Sequence, residues 1–307
     1  MSNLINHVIK RTMSSGSVIN HVTIIGAGLM GSGIAQVAAT SGHRVTMVEL
    51  DEKLLDKARK GIEKSLERVG KKQFKDEESK ITGFVKESMN RISGSTDLST
   101  VVKDTDIVIE AIVENLEVKQ KLFSSIDSVA KPSTIFASNT SSIPINEIAK
   151  GTQRLDRFCG LHFFNPVPVM KLLEVVRTPE TSDATYTTAM DFGKKLGKTC
   201  ITCKDTPGFV VNRLLVPYMA EAVRMLERGD ATARDIDIAM KLGAGYPMGP
   251  FELSDYVGID TTQKIMGIWH KIYPDNPLFE PIPMLNKLVE EGKFGMKSGE
   301  GFYSYKK

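Results

Sequence analysis

Only three cysteines occur in 307 residues (Cys159, Cys200 and Cys203), so the chain is no disulfide scaffold and reads as the product of a reducing compartment. Long apolar runs are missing too. No stretch approaches the roughly 18 uncharged apolar residues that a membrane span requires, and no integral membrane segment is expected. Neither sign of charge is in surplus: 40 Lys and Arg against 37 Asp and Glu leave +3, too little for nucleic-acid binding by bulk charge. Any anion site has to be local. What is present, 41% hydrophobic and 25% charged residues, is the composition of an ordinary globular chain and excludes the collagen-like and disordered classes.

Acidic residues are absent before Glu49, while Lys10 and Arg11 sit among Ser14, Ser15 and Ser17 with apolar Leu4, Ile5, Val8 and Ile9. A basic, serine-rich, acid-poor and amphipathic start is the profile of a mitochondrial presequence, which would place the protein in the mitochondrial matrix. A tail without function is the alternative, and residues 1–20 are left out of the fold on either view. The remainder is long for one core, since single cores rarely grow beyond about 250 residues, and two domains are expected.

His21 to Ile25 is a short apolar run. Gly26-Ala27-Gly28-Leu29-Met30-Gly31 follows at once and opens a helical stretch to Gly42, before a second apolar run from Arg44 to Glu49. Strand, glycine turn, helix and strand within about 30 residues make a βαβ unit. The charged segment from Asp51 to Arg91 reads as a helical hairpin inserted in the sheet fold. Asp106–Ile112, Thr134–Ser138, Phe158–Phe164, Leu172–Arg177 and Thr199–Cys203 are expected strands, with helices over Leu116–Ala130 and Asp183–Leu196. After Thr206-Pro207-Gly208 the strand signals stop, and Phe209–Arg228, Thr232–Leu242, Phe251–Ile272 and Pro283–Glu291 read as helices between Gly and Pro breaks. The expected architecture is a Rossmann-like α/β domain over 21–206 with an inserted helical hairpin, then an all-α domain over 207–307.

Gly26-x-Gly28-x-x-Gly31 in this context makes a tight turn, lets backbone approach a pyrophosphate and presents helix-start N–H groups to its charge. Glu49, at the end of the second strand, would accept from ribose hydroxyls and repel a 2′-phosphate, so NAD is expected over NADP. His162 ends an expected strand, where ligands of open α/β sheets bind, and Glu174 follows twelve residues later. A base and a carboxylate partner are what oxidation of an alcohol needs, although a histidine beside two phenylalanines also serves as a satisfied core residue. Ser138-Asn139-Thr140-Ser141-Ser142 and Asn212 offer hydroxyls and amides to a ligand, or equally cap helices. The hairpin holds 12 Lys and Arg against 9 Asp and Glu, with Arg68, Lys71, Lys72 and Lys75 near its tip, fitting a large anionic substrate or a solvated face. Cys200-x-x-Cys203 lies in a strand, where an offset of three places side chains on opposite faces, with no further ligands nearby. It reads as core, and no metal site is expected.

Taken in order and spacing, the glycine motif, Ser138-Asn139-Thr140-Ser141, His162-Phe163-Phe164-Asn165-Pro166, Asp205-Thr206-Pro207-Gly208-Phe209 and Gly299-Glu300-Gly301-Phe302-Tyr303 resemble the L-3-hydroxyacyl-CoA dehydrogenases of fatty-acid β-oxidation, over about residues 20–307. No hydratase portion is attached, as in the stand-alone mitochondrial short-chain type. The resemblance implies NAD-dependent oxidation of (S)-3-hydroxyacyl-CoA to 3-oxoacyl-CoA. It implies His162 as base, Glu174 as its partner, and Ser141 and Asn212 as substrate contacts. For NAD it implies Gly26, Gly28, Leu29, Met30, Gly31, Glu49, Glu114, Lys119, Ser141, Asn165 and Lys297, and for the CoA portion Ser65, Lys72 and Lys119. It also implies a homodimer formed through the helical domain. The family often has Asp where this chain has Glu49. A sugar-acid substrate, as in the related gulonate dehydrogenases, is the alternative within the fold, and the basic hairpin is the feature that separates the two.

Overall fold

A computed structural model describes residues 18–75 and 77–305. The expected presequence falls almost entirely outside these residues. The chain divides into two compact units, one ending at Phe209 and the other starting at Val210.

The first unit alternates strand and helix: β1 (His21–Ile25), α1 (Leu29–Thr40), β2 (Arg44–Val48), α2 (Glu52–Phe74), α3 (Glu78–Asn90), β3 (Ile92–Ser95), α4 (Leu98–Val101), β4 (Ile107–Glu110), α5 (Leu116–Asp127), β5 (Ile135–Ser138), α6 (Ile145–Ala149), β6 (Phe158–Phe163), β7 (Leu172–Arg177), α7 (Asp183–Lys195) and β8 (Thr199–Lys204). They form one eight-stranded sheet of order β3-β2-β1-β4-β5-β6-β7-β8. Pairing is parallel throughout except between β6 and β7. Strands β1, β4, β5 and β6 are buried along their whole length, which explains their unbroken apolar runs. The Rossmann-like expectation holds. Strand β3 was not among the expected strands because Ile-Ser-Gly-Ser at a sheet edge carries no apolar run.

The inserted hairpin is α2 and α3. Asp51 caps α2 by accepting from the Lys53 N–H, and Leu55, Ala58, Ile62 and Leu66 repeat at helical spacing to bury one face. The helix ends at Lys75 in the left-handed region, φ 47°, and Phe74 meets Phe84 edge-on at 5.7 Å to close the pair.

The second unit is helical: α8 (Val211–Arg228), α9 (Ala233–Gly243), α10 (Pro250–Val257), α11 (Ile259–Ile272) and α12 (Pro283–Glu290). The single helix expected over Phe251–Ile272 is two, because Gly258 adopts φ 106° and breaks the run between α10 and α11. Likewise α8 starts two residues later than expected, since Phe209 takes φ 50°. Val223, Phe251, Trp269 and Phe279 build its core. Two fully buried carboxylates organise the edge of that core. Asp237 accepts from the Phe251 and Glu252 N–H groups and the Tyr303 hydroxyl, while Asp255 accepts from the Phe302 and Tyr303 N–H groups and the Tyr305 hydroxyl. The chain end from 302 to 305 is thereby tied to α9 and α10.

Two buried histidines in the first unit set an acid limit. His21 donates from Nδ1 to the Asp104 carbonyl at 2.6 Å and meets the Thr46 hydroxyl at 2.8 Å, and His43 packs edge-on against Phe192. Burial lowers both imidazoles from their ordinary value, with the Arg44 guanidinium adding for His21 and the Lys195 ammonium for His43. A histidine lowered by folding binds fewer protons in the folded than in the unfolded state. Unfolding therefore takes up protons once pH drops below about 6.5, and stability falls as pH falls from there toward the folded-state value. The urea midpoint should drop between pH 7 and 5, and His43→Leu should shrink that drop. An unchanged slope in the variant would remove His43 from the account.

Candidate active site

The reversed strand makes the catalytic pair. Antiparallel register pairs Gly160 with Val176, Leu161 with Val175 and His162 with Glu174, so two residues twelve apart in sequence stand directly opposite on one face. His162 Nδ1 lies 2.6 Å from Glu174 Oε2. Both are buried, Glu174 completely and His162 to 6% exposure. With Nδ1 carrying the proton it donates to the carboxylate, Nε2 keeps its lone pair. Phe164 at 4.5 Å and Phe209 at 5.5 Å between ring centroids flank the imidazole.

A charge network centred on a buried ammonium fixes the neighbouring loop. Lys119, 1% exposed, places its ammonium 2.6 Å from Glu110 Oε1 and 3.1 Å from Glu114 Oε2. Glu110, buried at the end of β4, also accepts from the Ile112 N–H at 2.8 Å and the Ser138 hydroxyl at 2.5 Å. The Glu114 carboxylate accepts from the Thr140 hydroxyl, the Ser141 and Ser142 N–H groups, and the Ser142 hydroxyl. Burial pushes the Glu114 carboxyl up, but the Lys119 charge and the two hydroxyls outweigh it and hold the group below its usual range. On the other side of the loop, Asn139 Oδ1 accepts from the Phe163 N–H at 2.9 Å, one residue beyond His162. Asp205 accepts from the Ile145 and Asn146 N–H groups, capping the start of α6. Ser141 itself is exposed, and its hydroxyl makes no hydrogen bond among the described residues.

The glycine turn has the shape that a dinucleotide needs. Gly26 adopts φ 98°, and a Cβ there would lie 2.6 Å from the Ala111 carbonyl oxygen; a Cβ on Gly31 would lie 1.8 Å from the Gly26 oxygen. Gly28 faces open space, and no side chain caps the start of α1, so the N–H groups around Leu29 and Met30 are open to an anion. Glu49 Oε2 accepts from the Ala27 N–H and Oε1 from the Leu50 N–H, both at 2.9 Å, which holds the carboxylate beside the turn. These residues fit an NAD molecule. They also open onto a cleft of about 610 Å³ between α1, α2 and the loop from Asn165 to Pro168.

Ser65 and Arg68 line that cleft from α2, and exposed Lys72 lies on the last turn of the helix. Lys119 lies outside the cleft that Ser65 and Arg68 line. It belongs to α5, and its ammonium is held by two carboxylates. Asn212 lies in the first turn of α8, and Lys297 pairs with Asp260 at 2.5 Å, both within the second unit. Sequence reading missed the anchoring work of Glu110, Asn139, Asp205 and Lys198. Lys198 is buried and donates to the Val167 and Met170 carbonyls at 2.5 and 2.7 Å, pinning the loop that carries Asn165. An acid closing an apolar strand, as in Ile107-Val108-Ile109-Glu110, was the available signal for the first of them.

Comparison with known proteins agrees over both units. Residues 21–206 match the model of the 3-hydroxyacyl-CoA dehydrogenase NAD binding domain, and residues 208–305 match that of the 3-hydroxyacyl-CoA dehydrogenase C-terminal domain. The mitochondrial hydroxyacyl-coenzyme A dehydrogenase of Homo sapiens is 60% identical over 289 residues, covering 94% of this chain and 92% of that protein. A probable 3-hydroxyacyl-CoA dehydrogenase of Caenorhabditis elegans is 59% identical over 295 residues, 96% of each. The crystal structure of (S)-3-hydroxybutyryl-CoA dehydrogenase from Ralstonia eutropha superposes with a TM-score of 0.88 at 42% identity, covering 94% of this chain and all of that one. With both family models matched in order and relatives of this identity spanning nearly its whole length, the chain belongs to the 3-hydroxyacyl-CoA dehydrogenase family.

Proposed function

We propose the following division of labour for the NAD-dependent oxidation of 3-hydroxyacyl-CoA that this chain carries out. The substrate is the (S)-3-hydroxyacyl-CoA of fatty-acid β-oxidation and the product the 3-oxoacyl-CoA. Bound NAD⁺ supplies the hydride acceptor. His162 takes the hydroxyl proton at Nε2, and its Nδ1–H bond to Glu174 strengthens as the ring becomes cationic. The Ser141 hydroxyl, free on a loop held by Glu114 and Asn139, orients the substrate oxygen. Gly26, Gly28, Leu29, Met30 and Gly31 receive the pyrophosphate, Glu49 reads the ribose, and Asn165 contacts the cofactor. Asn212 as substrate contact and Lys297 as cofactor contact rest on the resemblance. Glu114 and Lys119 serve the cofactor by holding the loop beside it. Ser65 and Lys72 serve the CoA portion. The observation that carries the reading is the cross-strand His162–Glu174 pair, because a buried imidazole with Nδ1 engaged by a carboxylate has one nitrogen left for a proton.

The relatives named mitochondrial indicate the mitochondrion, and the acid-poor start of the chain supports the matrix. Among the described residues, no helix is long and apolar enough to cross a membrane. Homodimerisation through the second unit is supported by the apolar residues it leaves exposed, Leu214, Leu242, Tyr256 and Leu278 among them.

Replacing His162 by Gln should lower kcat by ~10² to 10⁴ while NAD affinity stays within a small factor, read by steady-state kinetics and calorimetry. Near-normal turnover would remove the base assignment. Glu49→Gln keeps an acceptor for the Ala27 N–H but loses the charge, so the preference for NAD over NADP should shrink, and an unchanged ratio would assign selectivity to another residue. Lys72→Ala should raise KM for acetoacetyl-CoA by up to about tenfold, with a steeper salt dependence in the wild type than in the variant. An equal rise for a thioester lacking the nucleotide would show that Lys72 acts through the position of the hairpin.

A further inference from the structure

Helix α8 carries a proline in its interior, and the consequence falls on the turn that holds Asn212. Pro217 has no N–H, so the Arg213 carbonyl four residues earlier lacks the donor that a regular helix gives it, and the pyrrolidine ring crowds that same carbonyl. The first turn, Val211 to Leu214, is thereby joined to the rest of α8 by one hydrogen bond fewer than a turn of an unbroken helix. The Arg213 side chain supplies a hold of another kind. Its guanidinium carbon lies 4.5 Å from the centroid of the Phe279 ring, 5.0 Å from that of Tyr273 and 5.6 Å from that of Trp269. All three are within the range in which a cation is drawn to an aromatic face. Nη1 is buried and has no hydrogen-bond partner among the described residues, so the hold on this edge of the guanidinium is aromatic and not a hydrogen bond.

The aromatic box that receives Arg213 is itself fixed. Trp269 and Phe279 are 1% and 0% exposed, and the Phe279 ring meets Trp269 edge-on at 5.4 Å and Tyr273 at 5.7 Å between centroids. The segment bearing Phe279 is tied to α8 a second time, because Arg224 Nη2 donates to the Leu278 and Glu280 carbonyls at 3.3 and 3.2 Å. Eleven residues make about three helical turns, so Arg213 and Arg224 stand on one face of α8 and grip the same segment from either side of Pro217. Asn212 precedes Arg213 directly, and its backbone cannot shift or rotate without drawing the guanidinium out of the box. We infer that Arg213 is a positioning residue: its cation–π contacts set where the first turn of α8 lies and so aim the Asn212 side chain at the substrate. This rests on the reading of Asn212 as a substrate contact. All the groups that do the holding belong to the second unit.

A double-mutant cycle on the full chain tests it, with kcat/KM for acetoacetyl-CoA as the readout. Arg213→Met keeps most of the stem and removes the charge, Arg213→Gln gives a second neutral variant should the first fail to fold, and Arg213→Lys keeps a cation for the rings. Either neutral variant should lose about ten- to a hundredfold, the scale on which misplacing a substrate contact by an ångström acts, with KM for NADH unchanged. Arg213→Lys should recover most of that loss. In an Asn212→Ala background the neutral variant should cost less than about twofold, because a residue that acts only through Asn212 has nothing left to aim. Its melting temperature, by contrast, should fall by the same amount in both backgrounds, so a loss of fold is read separately from a loss of position. An equal loss of kcat/KM in both backgrounds would make Arg213 structural. Normal turnover of the neutral variants would mean that another residue aims Asn212, and failure of Arg213→Lys to rescue would remove the cation–π hold. Each of these overturns the inference. Normal kcat/KM in Asn212→Ala alone would overturn the substrate contact of Asn212 itself, and the role of Arg213 would fall with it.

Discussion

A strand that runs the wrong way governs this site. Parallel strands join through crossovers, so their C-terminal ends all reach one edge of the sheet while their sequence neighbours lie a helix away. Reversing β7 against β6 replaces the crossover by a short loop, and the chain that has just delivered His162 to the edge turns back at once with Glu174. The pairing is then set by register, which is rigid, and not by loop conformation. The same loop carries Asn165, rests on α1 through Val167, and is pinned by the Lys198 ammonium. Base, base partner, cofactor contact and one wall of the cleft thus descend from a single change of strand direction.

The parallel half of the edge needs another device, because the loops after β4 and β5 have no hairpin to hold them. Charge supplies it. Lys119 and Glu110 form a buried pair that Glu114, its side chain 38% exposed, joins from the rim, and the desolvation cost of the pair is met only if the remaining lone pairs are filled. They are filled by the very groups that need fixing: the Ser138 hydroxyl, the Ile112 N–H, and the Thr140, Ser141 and Ser142 donors. Removing one member would leave an uncompensated charge, so the triad enforces one loop conformation whatever its net contribution to stability.

How legible this was depends on the range over which the information is written. The glycine turn, its strand and its helix are contiguous, so periodicity and turn chemistry revealed them, and the buried parallel strands announced themselves as apolar runs. His162 and Glu174 were legible as residue types, but spacing alone does not say that β7 is antiparallel, and without that the number twelve has no geometric meaning. Strand β3 carried no signal because an edge strand of Ser and Gly owes its conformation to β2 beside it. The break at Gly258 was hidden in a helical pattern that continues on both sides, and only the backbone angle reveals it. Lys119 was legible only through the resemblance, because nothing in the sequence around it says that its ammonium is buried beside Glu110 and Glu114.

Partnership separates scaffold from recognition in this unit. Glu110, Glu114, Lys198 and Asp205, and Asn139 through its Oδ1, bond to the protein, and every one of them fixes a loop. The exposed Ser141 hydroxyl makes no hydrogen bond among the described residues. His162 has one nitrogen in each class, Nδ1 engaged by Glu174 and Nε2 left open. The division follows the roles proposed for these residues: the loop anchors are engaged by the protein, and the groups that face substrate are left open. In the first unit His162 and Ser141 both lie at the C-terminal edge of the sheet, one at the end of β6 and the other in the loop after β5, so the open nitrogen and the open hydroxyl share the edge at which ligands of such sheets bind.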